Sequence, residues 1–89
     1  MKEKIKILVI WLESQPIENW RNINGVVRIT INEYKIVISG SLLNIVNNNE
    51  SQDFRDPLIN NLYLTLQKRI NSTDEQKKEK FLDNLIAKL

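Results

Sequence analysis

Between Val26 and Ser39 the chain carries two short segments of alternating apolar and polar residues, a pattern that leaves few folds open. Val27, Ile29 and Ile31 alternate with Arg28 and Thr30, and Tyr34, Ile36 and Ile38 share one face of the second segment. A period of two is that of a half-buried strand, so the segments read as an antiparallel pair joined by a tight turn near Asn32 and Glu33. A lone hairpin is marginal in water, and its apolar face requires a cover.

The flanking sequence supplies that cover. Over residues 2 to 14, Ile5, Leu8, Val9 and Leu12 line up at helical spacing, and Trp11 and Ile7 widen the face. The β-branched Ile7, Val9 and Ile10 also suit a buried strand, but the residues after Ser14 favour a helix. Pro16 suits the first position of a second helical turn carrying Ile17 and Trp20, which Asn24 and Gly25 would stop. Leu42 to Val46 reads as a third strand returning in a meander, with a short helix capped by Ser41 as the alternative. Residues 47 to 56 are polar apart from Phe54 and read as a long loop with Phe54 as its anchor in the core.

Asp56 before Pro57 is a paired helix-start signal: a side-chain acceptor for free amides, followed by a residue with no amide to satisfy. Leu58, Ile59, Leu62, Tyr63, Leu66 and Ile70 then cover an arc of roughly 140° at 100° per residue, the width of a helix lying on a core. Leu64 falls outside it. Asn71 and Ser72 are expected to end this helix, and Thr73 with Gln76 three residues later has the spacing of a capping box opening another. Phe81, Leu82, Leu85, Ile86 and Leu89 would be its apolar face. The expected architecture is α+β in the order αβββαα: an N-terminal helix, a three-stranded antiparallel meander and a C-terminal antiparallel helical hairpin. It forms a single small domain over residues 1 to 89 with a polar loop at 47–56 and no internal repeat.

Several function classes are disfavoured by what the chain lacks. A length of 89 residues sustains one core. With no cysteine and no histidine, there is no thiolate site, no redox pair, and neither the commonest general base nor the commonest transition-metal ligand. Gly25 and Gly40, the only glycines, form no phosphate-binding loop. Asn47 to Asp53 lack the central glycine and terminal glutamate of a calcium loop. The carboxylates Glu13, Glu18, Glu33, Asp53 and Asp56 are scattered, and a core this small leaves little room for a cleft between them. The chain is therefore expected not to be an enzyme and to hold no cofactor or metal. The apolar run Ile7 to Leu12 is shorter than a signal core and far short of a membrane span, which places the protein in the cytoplasm with no membrane partner.

Recognition of a macromolecule is what remains. Ile7, Ile10, Trp11 and Leu64 are apolar residues that the architecture does not obviously consume, and tryptophan contributes disproportionately at protein interfaces. They are the expected partner-binding residues of a non-enzymatic protein-binding module. The alternative is a small nucleic-acid-binding regulator: Lys77, Lys80 and Lys88 form a stripe of roughly 80° on the last helix, and Arg69 approaches from the helix before. Interleaved Asp74, Glu75, Glu79 and Asp83, and a net charge of only +2, weigh against it. Self-association into a homodimer is a third reading. The order of elements resembles that of some small inhibitors carried by phages and mobile elements, certain anti-CRISPR proteins among them. That resemblance would imply an inhibitor that binds a larger host protein complex.

Overall fold

The computed structural model describes all residues, 1–89. Its central feature is a row of two-residue turns. Asn24, Asn32, Gly40 and Asn48 stand at φ of 53°, 54°, 58° and 52°, each eight positions after the last, and Gly25 follows Asn24 at 77°. Asparagine and glycine are the residues that enter this left-handed region at least cost, and turns built on them match the twist of the strands they join. Between them run β1 (Arg21–Ile23), β2 (Val26–Ile31), β3 (Tyr34–Ser39), β4 (Leu42–Asn47) and β5 (Glu50–Arg55). The five strands form one antiparallel meander in the order β1-β2-β3-β4-β5.

The register puts the apolar residues on one face. Val27, Ile38, Leu43 and Phe54 stand side by side across four strands, and Ile29, Ile36 and Ile45 form the next row. Two helices cover this face, α1 (Lys2–Glu13) and α2 (Pro57–Lys88). They contribute Ile5, Val9 and Leu12 from α1 and Ile59, Leu62, Leu66 and Ile70 from α2 to the buried core. Trp20, in extended conformation after a single 3-10 turn at Ile17–Asn19, is also buried. The opposite sheet face, with Arg28, Lys35 and Asp53, is open to solvent.

Asp56 caps α2 as its sequence implies, its Oδ1 accepting from the Leu58 amide at 2.9 Å. The Tyr63 hydroxyl and the Gln67 amide of α2 both donate to the Gly25 carbonyl, and the Asn22 side chain donates to Gln67 at 2.7 Å. These bonds fasten the β1–β2 hairpin to the helix. The Arg69 guanidinium donates to the Glu13 carbonyl at 3.2 Å, placing a cation at the C-terminal end of α1, where helix carbonyls lack partners.

The expected αβββαα order is therefore incorrect in three places. Asn24 and Gly25 close a hairpin instead of stopping a helix, and residues 21 to 23 form an edge strand. Residues 47–56 are not a loop. Glu50–Arg55 is a full strand whose one core-facing apolar residue is Phe54, which suffices at an edge paired on one side and wet on the other. Lastly, there is no helical hairpin. α2 runs unbroken for 32 residues, because Asn71, Ser72 and Thr73 are weaker helix formers but not helix breakers. The Thr73 hydroxyl donates back to the Arg69 carbonyl at 3.0 Å instead of capping a new helix. The second half of α2 consequently projects beyond the body, giving the molecule a long dimension of 57 Å. No helix is long and apolar enough to cross a membrane.

Candidate functional site

α1 is apolar most of the way round, so whichever face it turns to the sheet leaves apolar residues outside. With Ile5, Val9 and Leu12 directed inward, Ile7 and Ile10 remain 66% and 60% exposed and Trp11 44% exposed. At 100° per residue, Ile10, Ile7 and Trp11 span roughly 100° centred on the pole of the helix opposite the core. On the helical projection Lys6 lies beside Ile10 and Lys4 beside Trp11, and Glu3 of the first turn falls between Ile10 and Ile7.

The sheet extends this surface on one side. Beyond Trp11 and Leu8 lies a groove of about 290 Å³, floored by Ile31, Tyr34, Ile36 and Ile45 near the β2–β3 turn. It exists because the helices cover the rows containing Val27 and Ile29 more completely than the last row, where Ile31 stands opposite Tyr34. Tyr34 is 46% exposed and closes the rim. Trp11 belongs both to the outward face of α1 and to the groove wall, so the two form one continuous apolar surface. The chemistry this surface offers is apolar contact from a large indole, with a phenol hydroxyl and the charges of Glu3, Lys4 and Lys6 around it. Such composition suits an apolar side chain or helix edge of another macromolecule.

The other residues singled out from sequence lie elsewhere. Leu64 is 56% exposed on α2 and is not part of the α1 surface. Lys77, Lys80 and Lys88 are exposed along the projecting half of α2, while Arg69 is half-buried and engaged with the end of α1. The helix brings the three lysines onto one side but spreads them over about 17 Å, with acidic residues on the adjoining faces. Sequence reasoning missed the groove residues Ile31, Tyr34 and Ile45. Alternation marks Ile31 and Tyr34 as core-facing and Ile45 falls in the expected third strand, but only the placement of α1 shows that this end of the core face is left open.

The fold is a two-layer α+β arrangement, a five-stranded antiparallel meander with both helices on one side. Comparison with family models, with curated proteins and with solved structures finds no match to this chain.

Proposed function

We propose that the protein is a non-enzymatic binding module that engages a protein partner through the outward face of α1 and the adjoining groove. The observation that carries this reading is the grouping of Ile7, Ile10 and Trp11, all substantially exposed, against an open apolar groove in which Trp11 forms one wall. Scattered single apolar residues are ordinary on a protein surface, whereas a contiguous patch around a half-exposed tryptophan has the composition of an interaction centre. The order αβββαα, on which the likeness to phage-borne inhibitors rests, is not the observed one, so that likeness lends this reading no support.

The test is affinity capture from the source cell with tagged wild-type protein, Trp11→Glu, and Lys35→Glu on the open sheet face as a control. A protein retained by wild type and by Lys35→Glu but lost with Trp11→Glu, while all three unfold at similar temperatures, is the expected result. If nothing is captured differentially, or if Trp11→Glu unfolds the domain, the surface is wrongly assigned.

A further inference from the structure

The exposed apolar residues of α2 are not scattered. Phe81, Leu82, Leu85, Ile86 and Leu89 are between 47% and 96% exposed, and their mean direction on the helix lies roughly 120° from the side that faces the core. Leu64 points the same way, although it belongs to the half of the helix that lies on the sheet. Leu64, Leu82, Leu85, Ile86 and Leu89 therefore belong to a second stripe turned toward solvent, while Phe81, five full turns after Tyr63, continues the edge of the core stripe beyond the body.

The second stripe can be followed as the line that a pairing helix would cover, apolar at its two ends and polar at its centre. From Leu64 the chain steps alternately four and three positions, through Lys68 and Asn71, then Glu75 and Lys78, to Leu82, Leu85 and Leu89. Every position on this run is exposed, and none of their side chains makes a hydrogen bond within the molecule. A 3-4 alternation keeps one line of side chains toward a partner helix over many turns. Over the 26 residues from Leu64 to Leu89 that line is about 38 Å long.

The charges in the middle of the seam select the partner's direction. In a parallel pair of copies, Lys68, Glu75 and Lys78 would each lie level with themselves, setting like against like three times. In an antiparallel pair centred between Gln76 and Lys77, Glu75 lies level with the second copy's Lys78, and the reverse contact repeats across the twofold axis. The same register sets Leu64 against Leu89, Asn71 against Leu82, and the aliphatic stem of Lys68 along Leu85. Sliding the pair by one heptad either brings Lys68 onto Lys78 or places Glu75 on Leu85. One register thus satisfies both the charges and the ends.

We propose that α2 is a self-association surface: two copies of this chain pair through an antiparallel contact of their long helices, with Glu75 and Lys78 forming reciprocal ion pairs at the centre. Leu64, Leu82, Leu85 and Leu89 lie on this line and Ile86 flanks it, all of them substantially exposed in the single copy. Every position on the line is exposed, and α1 packs on α2 beside Leu58, Asn61, Leu62 and Thr65, roughly 110° around that helix from Leu64.

The absence of native cysteine allows a direct test on the full chain. Sedimentation of the wild type should show a concentration-dependent monomer–dimer equilibrium. Glu75→Lys and Lys78→Glu should each weaken it at least about tenfold, and the double exchange should restore the constant to within about threefold of wild type. Under mild oxidation, the Leu64→Cys/Leu89→Cys protein should form a covalent dimer, whereas Leu64→Cys alone should not, its two sulfurs lying about 38 Å apart. A wild type that stays monomeric at several hundred micromolar overturns the proposal, as does cross-linking by Leu64→Cys alone or failure of the double exchange to restore pairing.

Discussion

Removing residues 73 to 89 should leave the rest of the molecule folded, and the size of the effect can be worked from burial. All thirteen buried residues lie between Ile5 and Ile70, and nothing beyond Ile70 contributes to the core. A detached helix of this length is marginal in water, so it adds only about 0–1 kcal/mol to the stability of the monomer. A folded-back helix would behave very differently. Burying Phe81, Leu82, Leu85, Ile86 and Leu89 at ~1.5–3 kcal/mol each would contribute roughly 7–15 kcal/mol. That is as large as the whole stability of a small domain, about 5–15 kcal/mol, so truncation would then abolish folding. Urea unfolding of the full chain and of residues 1 to 72, followed by the emission of buried Trp20 and half-exposed Trp11, separates the two cases. The measurement belongs at low micromolar concentration, where self-association adds nothing to the full chain. Both proteins should unfold cooperatively, with free energies within about 1 kcal/mol of one another. A truncated chain that is unfolded, or weaker by more than about 3 kcal/mol, would refute the reasoning by showing that the end of α2 packs on the body.

Two further substitutions probe the turns and the helix start. Gly40→Val should cost about 1–2 kcal/mol through the backbone alone, because Gly40 sits at φ 58° with no heavy atom within 4 Å of an added Cβ; a thermal midpoint lowered by less than ~3 °C would argue against a left-handed turn there. Asp56→Ala should cost about 1 kcal/mol by leaving the Leu58 amide without its side-chain acceptor, and Asp56→Asn should recover most of that loss. Equal destabilisation by Ala and Asn would assign the effect to charge instead of capping.

The parts of the fold legible in the sequence are those where one residue pattern admits one explanation. The alternation through β2 and β3, the Asp56–Pro57 start and the stripe from Leu58 to Ile70 are of this kind. The edge strands are not. Arg21, Asn22 and Ile23 are all exposed, and β5 places a single half-buried side chain, Phe54, against the core, so neither carries the periodicity that marks a strand. Both are held by pairing with a neighbour and by the turn that joins them to it. The turns did carry a readable signal: Asn24, Asn32, Gly40 and Asn48 recur at a constant spacing, each of a type that tolerates positive φ. Taken singly, Asn24–Gly25 fits a helix stop and Asn48 a polar loop. Taken as a period of eight, they describe six-residue strands joined by two-residue turns.

The candidate surfaces were harder to read, for a reason rooted in how helices bury their faces. Seven apolar residues among the twelve of α1 show that some must remain outside, but only the packing against the sheet decides that Ile7, Ile10 and Trp11 are the ones. On α2 the difficulty is different. A helix continuous through Asn71 and Ser72 relates Leu64 to Leu82, Leu85 and Leu89, whereas a break there makes Leu64 an isolated exception and the rest the core of a second helix. The charged centre of the seam adds to the concealment, since Lys68, Glu75 and Lys78 resemble an ordinary solvated face until their order is compared with its own reverse. The Trp11 groove lies on the side of α1 away from α2, whereas Ile10 borders the cleft between the two helices with Asn61 and Thr65. Pairing through α2 would therefore leave the Trp11 groove of both copies accessible, and the two forms of recognition can be removed one at a time.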